Sequence, residues 1–79
     1  MKIQVHLYAS LTRHLPDEIR GKEPWIEVPE GASVRDLLVK WNVPIDQVKL
    51  VFINGIHAEL DAVLKAEDRL GVFPPIGGG

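Results

Sequence analysis

Few side chains in this 79-residue sequence have the chemistry needed for catalysis or metal binding, and they lie far apart along the chain. His6, His14 and His57 follow no usual metal-ligand spacing, and there is no cysteine to complete a zinc site or to act as a nucleophile. Ser10 and Ser33 have no nearby signature of an activating base. We therefore expect no metal site and no independent active site, and interpret the chain as a carrier or binding module rather than an enzyme.

The remaining candidate is the end of the chain, FPPIGGG, which covers residues 73–79. No helix follows the glycines, so they do not form a phosphate-binding loop. A glycine run at this position is either a frayed end without a role or a reactive arm. Because no other group in the sequence has a reactive pattern, the carboxylate of Gly79 is the one candidate if the tail is reactive, and both readings of the tail stay open on the residues alone.

Length and composition limit the class of protein that can present such a group. We expect one domain over residues 1–79, with a flexible glycine tail over residues 77–79. The formal net charge of −2 provides no basic surface for nucleic acid, and no apolar stretch is long enough to span a membrane. The first residues, MKIQVHLY, alternate polar and apolar, unlike a signal peptide. We expect a cytoplasmic protein that binds neither nucleic acid nor membranes.

The elements that position the tail can be predicted from the spacing of apolar residues. Residues 2–8 alternate strictly, which is typical of a strand with one buried face. Residues 9–21 are a polar connection with a short helical turn in SLTRHL, and residues 25–28 form a second short strand. The first strand should therefore bury Ile3, Val5 and Leu7 and expose its polar side.

One short helix is predicted after the second strand. Ser33 is a suitable N-cap, and Asp36 three residues later makes a variant of the capping box. The helix should end near Asn42, since Pro44 prevents its continuation. The apolar residues after the cap have the spacing of one helix face; they are Val34, Leu37, Leu38 and Trp41.

The last third of the chain reads as a hairpin, a connection and a final strand. Residues 50–53 form a strand, Asn54-Gly55 predicts a type I′ turn, and residues 56–57 begin the returning arm. A turn-rich connection over residues 60–68, anchored by Val63 and Leu64, leads to a strand over residues 70–73. Because one helix can cover only one face of a sheet, we expect an α+β domain.

The third and last strands present apolar residues on both faces, unlike the first. Phe52 and Phe73 are the large residues on the second face. A central position in the sheet explains part of this pattern, and an exposed apolar patch on the face away from the helix explains the rest. The alternative is that both phenylalanines belong to the core.

With this order of elements and a diglycine end, the chain resembles the ubiquitin-like β-grasp sulfur carriers, the MoaD/ThiS family. These include the small subunit of molybdopterin synthase and the sulfur carrier of the thiamine pathway. The resemblance covers essentially the whole chain, and a diglycine in the last two positions is its most specific part. The other matching segments are MKIQVHLYAS, VPEGASVRDLL, VFING and DRLGVFPP. In the turn before Asp68, Ala66-Glu67 stands where the family often has Asp-Gly, and we expect a type I turn, which needs no glycine.

The resemblance implies a β-grasp fold, a mixed sheet with one main helix packed on one face. It also implies that an adenylating enzyme of the ubiquitin-activating type, which consumes ATP, activates the carboxylate of Gly79. A sulfur-donating enzyme then converts the acyl-adenylate to a thiocarboxylate, and the carrier itself binds no cofactor. Gly77 and Gly78 would extend through a narrow channel, because they have no Cβ.

The FPP segment and the long connection over residues 9–24 resemble the molybdopterin-synthase branch. The resemblance then implies the large subunit of that enzyme as a partner. The alternatives are a thiamine thiazole sulfur carrier and a protein modifier that is joined to lysines through Gly79. We expect the partner interface to comprise Phe73, Pro74, Pro75 and Ile76, together with Phe52.

Overall fold

The computed structural model describes residues 1–75, and its centre is a five-stranded mixed sheet. The strand order is β2-β1-β5-β3-β4; β1 and β5 are parallel, and the other neighbouring pairs are antiparallel. The last strand of the chain is therefore the central one, and its carboxyl end lies at the same edge of the sheet as that of β1. The strands are β1 (Lys2–Leu7), β2 (Trp25–Glu27), β3 (Leu50–Ile53), β4 (Ile56–His57) and β5 (Arg69–Phe73).

The main helix, α1 (Val34–Lys40), begins with the predicted capping box. The Ser33 hydroxyl accepts a hydrogen bond from the backbone N–H of Asp36 at 3.1 Å, and the Asp36 carboxylate accepts one from the N–H of Ser33 at 3.0 Å. Past the helix, Asn42 adopts a left-handed conformation (φ 59°), which ends it as expected. Among residues 1–75 no helix is long and apolar enough to cross a membrane. Two short 3₁₀ helices cover Ala9–His14 and Ile45–Gln47.

The core lies between α1 and one face of the sheet. The three apolar residues of β1 alternate into it as predicted, and β5 contributes Leu70 and Val72 from the centre. The side chains that α1 buries there are Val34, Leu37 and Leu38. A mixed sheet with one helix packed on one face is the predicted α+β, β-grasp arrangement, which is thereby confirmed.

Two connections show where local sequence signals succeed and fail. Asn54 and Gly55 both have positive φ (54° and 80°), so the predicted type I′ turn is confirmed. The expectation of a type I turn before Asp68 is wrong, because Glu67 has a φ of 69°, a conformation that favours glycine. Leu64 anchors the preceding segment as predicted, whereas the side chain of Val63 is exposed.

Candidate functional site

The face of the sheet opposite α1 has a row of aromatic side chains. It consists of His6, Tyr8, Phe52, His57 and Phe73, which we call the aromatic face. The row forms because side chains alternate along a strand, so the residues next to the buried ones point the other way. One surface therefore receives a ring from each of β1, β3, β4 and β5, and a further ring from Tyr8, which follows β1.

The rings contact one another in two geometries. The rings of Tyr8 and Phe73 are stacked in parallel, with centroids 4.2 Å apart and planes inclined by 4°, and the ring centroid of His6 lies 6.3 Å from that of Tyr8. Phe52 meets Phe73 edge to face at 5.8 Å and His57 at 5.9 Å. Both arrangements are favourable for aromatic pairs, so the five rings support one another's orientation.

The strand register brings these rings together over a glycine. Gly71 of β5 is opposite His6 on one side and Phe52 on the other. A Cβ at Gly71 would lie 3.6 Å from the ring of Tyr8 and 3.8 Å from that of Phe73. Because these are ordinary van der Waals distances, the rings leave open the space that a methyl group on Gly71 would fill over the central strand.

The aromatic face lies at the end of the sheet from which the tail leaves. Tyr8 directly follows β1 and Phe73 is the last residue of β5, and the two strands are parallel. The backbone N–H of Tyr8 donates to the carbonyl of Val72 at 3.1 Å, and that of Lys49 donates to the carbonyl of Phe73 at 2.8 Å. The last residues of β5 are thus held from both sides immediately before Pro74.

The structure places the predicted interface residues as follows. Phe52 and Phe73 are half-buried on the aromatic face, and neither belongs to the buried core, so the alternative that they are core residues is wrong. β5 ends at Phe73, as expected from the prolines that follow; Pro74 is half-buried and Pro75 exposed. The remaining predicted site residues, Ile76, Gly77, Gly78 and Gly79, lie outside the described residues.

Sequence reasoning missed three residues that define this surface. The alternation of the first strand predicts only that Tyr8 faces solvent; its ring is 42% exposed but also stacks on Phe73. The hairpin pattern predicts only that His57 lies in the returning arm, whereas its ring meets that of Phe52. Gly71 had a usable signal, because an isolated glycine inside a strand often marks a site where another group approaches closely.

Two of the five rings on this surface, those of His6 and His57, belong to side chains that can ligate a metal. The part of the chain that the structure describes contains no cluster of three metal-ligating side chains. Nε2 of His6 lies 3.2 Å from Oε1 of Gln4, a contact within β1. Away from this surface, a hydrogen bond at 2.8 Å and the charge of Arg35 lower the pKa of Asp61, and Asp61 raises the pKa of Arg35. The exposed aromatic rings suit docking of another protein.

Solved structures of small β-grasp proteins resemble this one. A putative molybdopterin converting factor subunit 1 from Pyrococcus furiosus is 28% identical, with a TM-score of 0.67 over 95% of this chain and 98% of that chain. SAMP1 from Haloferax volcanii is 24% identical, with a TM-score of 0.67 and full coverage of both chains. A chain in a complex of subunits 1 and 2 of the molybdopterin-converting factor from Helicobacter pylori 26695 also superposes, at 17% identity and a TM-score of 0.56, with both chains fully covered. A search of curated protein sequences gave no significant match.

The family comparison covers more of the chain than any single motif does. The model of the ThiS family matches residues 14–79, which include α1, the hairpin, β5 and the terminal glycines. Together with the β-grasp sheet and the tail-bearing central strand, this match shows that the chain belongs to the ThiS family of ubiquitin-like sulfur carrier proteins.

Proposed function

We propose that this protein carries sulfur as a thiocarboxylate on Gly79 and acts as the small subunit of molybdopterin synthase. The observation that supports this most directly is the aromatic face at the carboxyl end of β5, the strand that leads into the terminal glycines. A partner that docks on this surface is positioned beside the point where the tail begins. Membership of the ThiS family and the similarity to the P. furiosus subunit support the same function.

The domain and the tail have separate tasks in this proposal. The adenylating enzyme, which consumes ATP, activates the carboxylate of Gly79, and a sulfur-donating enzyme supplies the sulfur of the thiocarboxylate. The synthase large subunit then receives the tail that carries the thiocarboxylate. Gly77 and Gly78 have no Cβ and so fit a narrow channel, and Pro74-Pro75 fix the backbone where the chain leaves the sheet. The ATP-dependent step suits the cytoplasmic location that the composition predicts.

The interface that we propose has Phe52 and Phe73 at its centre, with Pro74, Pro75 and Ile76 around the start of the tail. Large aromatic side chains in the middle of an interface commonly contribute most of the binding free energy. We add Tyr8 to this proposed set, because it stacks on Phe73 and is 42% exposed. Such a surface lets the same domain dock on each enzyme in turn while the tail enters that enzyme's active site.

Intact-mass spectrometry tests the carrier function. The protein, its adenylating enzyme, ATP and a sulfur donor are incubated together, and we expect a mass increase equal to the replacement of one oxygen by sulfur. A variant without Gly79 is the matched control and should show no such species, because Gly78 would then end the chain one residue short. An unchanged mass of the wild type, with an enzyme that is active on another carrier, would contradict the proposal.

Co-purification separates the branches of the family. We expect the tagged protein to retain the molybdopterin synthase large subunit from the same genome, and Phe73→Ala to release it. Retention of thiazole-synthesis enzymes instead would assign the protein to the thiamine pathway. Two observations favour the first result: the FPP segment resembles the molybdopterin-synthase branch, and the chain is similar to the P. furiosus subunit.

A second candidate function is protein modification through Gly79. The similarity to SAMP1, also described as a small archaeal modifier protein, supports this function at the level of the fold. Conjugates of high mass that contain this chain, and that disappear when Gly79 is deleted, would establish it. A sulfur carrier without this activity would give no conjugates in either strain.

A further inference from the structure

The aromatic face is not flat, because it contains a cleft of about 170 Å³. Gly71 forms its floor, the rings of Tyr8, Phe52 and Phe73 form walls, and Arg69 lies at one end. An apolar cavity of about 150 Å³ accepts a molecule of the size of benzene. The cleft therefore has room for one side chain of a docked partner, and the aromatic walls would shield that side chain from water.

Arg69 adds a positive charge to this cleft. Its backbone N–H donates to Oδ1 of Asn54 at 2.9 Å, while its Nη2 atom lies 3.8 Å from the position that a Cβ on Gly55 would occupy. Within residues 1–75 no carboxylate lies within ion-pair distance of its guanidinium. The neighbouring Asp68 is engaged elsewhere, since it accepts hydrogen bonds from Asn54 and from the backbone of Lys65. The guanidinium is thus available to a partner.

We propose that the cleft receives one glutamate side chain of the docking partner, with its methylene stem over Gly71 and its carboxylate on Arg69. This inference depends on the proposed function, because it specifies how the partner is recognised. Arg69 and Gly71 are two residues apart along β5, so they lie on the same face of the sheet, and both line the cleft. A guanidinium binds a carboxylate through two parallel hydrogen bonds, and the surrounding rings strengthen the pair by excluding water.

This arrangement would select partners by charge as well as by shape. A lysine or arginine in the same position is disfavoured, because Arg69 repels it. A neutral apolar side chain fills the space but leaves the guanidinium without a partner in a surface that has lost its water, which costs free energy. Arg69 is therefore the residue that we expect to set the specificity of the aromatic face.

Gly71→Ala tests the space in the cleft with little risk to the fold. The added methyl group would make ordinary contacts of 3.6 and 3.8 Å, and Gly71 does not have the positive φ that disfavours alanine. Alanine is also better tolerated than glycine within a strand, so the melting temperature should stay equal or rise. The affinity for the synthase large subunit, measured by calorimetry, should fall by about tenfold or more, because the methyl group occupies the path of the glutamate stem.

Arg69→Gln and Arg69→Lys test the charge. We expect Arg69→Gln to weaken binding by about tenfold and to reduce its dependence on salt, and Arg69→Lys to recover only part of the loss, because lysine has no planar fork. Lys40→Gln is the matched control: it also removes one exposed positive charge, but from α1 on the other side of the sheet. Its affinity should equal that of the wild type.

A scan of the acidic residues of the large subunit identifies the partner group. One glutamate should show a coupling free energy with Arg69 in a double-mutant cycle, and its replacement by arginine should restore binding to Arg69→Glu. Normal binding by both Gly71→Ala and Arg69→Gln would overturn the inference and leave the proposed function intact. If Gly71→Ala binds weakly but Arg69→Gln binds normally, the cleft receives a neutral side chain, and the proposed glutamate is wrong. Failure of the wild type to bind the large subunit would overturn the proposed function, and the inference with it.

Discussion

Replacement of Glu67 by glycine should stabilise the protein. Glu67 has a φ of 69°, in the left-handed region, where a residue with a Cβ is disfavoured by about 1–2 kcal/mol. Its backbone N–H donates to the carbonyl of Lys2 at 2.7 Å, and glycine would keep this bond. Its side chain is exposed and makes no hydrogen bond or ion pair with residues 1–75, so its loss removes little.

The expected gain follows from two opposing effects. Glycine removes the unfavourable interaction of the Cβ, but it also increases the conformational entropy of the unfolded chain, which costs about 0.4–1 kcal/mol. The net stabilisation of Glu67→Gly should therefore be about 0.5–1 kcal/mol. For a domain of this size, this corresponds to a rise in melting temperature of about 2–8 °C.

Thermal unfolding followed by circular dichroism measures this change, and two variants control it. Glu67→Ala removes the same carboxylate but keeps the Cβ, so its melting temperature should stay near that of the wild type. Gly31→Ala makes the reverse change at a φ of 83° with no atom within 4 Å of the new Cβ, and it should destabilise the protein. An equal rise for Glu67→Ala and Glu67→Gly would refute the backbone explanation.

Three further predictions concern the helix, a surface ion pair and the aromatic face. Ser33→Ala should destabilise the protein by about 1 kcal/mol in chemical denaturation, because it removes the N-cap of a short helix. Because Arg35 lowers the pKa of Asp61 in the folded state, the pair stabilises the protein above the ordinary value of 3.8, and this contribution is lost as the pH falls through the lower folded value. Arg35→Gln should therefore lower stability at neutral pH but not in strong acid, and NMR titration should show the pKa of Asp61 rising; an unchanged pKa would contradict this. Tyr8→Ala should weaken binding to the large subunit by about tenfold, with a loss of stability below about 1 kcal/mol, because Tyr8 is 42% exposed.

Local sequence signals were sufficient to predict most of the elements. The alternation in β1 directs Ile3 and its neighbours into the core, and the capping box defines the start of α1. The Asn54-Gly55 turn needs positive φ at two successive positions, and few other residue pairs adopt it readily. Each of these signals acts within a few residues, so no knowledge of the sheet order was required.

The aromatic face could be predicted only in part, because it depends on which strands are neighbours. Phe52 and Phe73 stood out as apolar residues on a second face, but the role of Tyr8 follows from the parallel pairing of β1 with β5, which are more than sixty residues apart. An isolated glycine such as Gly71 indicates a close approach in a strand, but the strand order is needed to tell that His6 and Phe52 flank it. The left-handed Glu67 was missed for a related reason: local preference opposes this conformation, and tertiary hydrogen bonds on either side of the turn impose it.

The central position of β5 also has a mechanical consequence. A pull between Lys2 and Phe73 draws β1 and β5, which are neighbours and parallel, in opposite directions along their length. The hydrogen bonds between the two strands then bear the load together in shear, instead of breaking one after another from one end. On its other side, β5 is held by β3. A partner that pulls on the tail while β1 is held in place therefore loads the hydrogen bonds between β1 and β5 in shear.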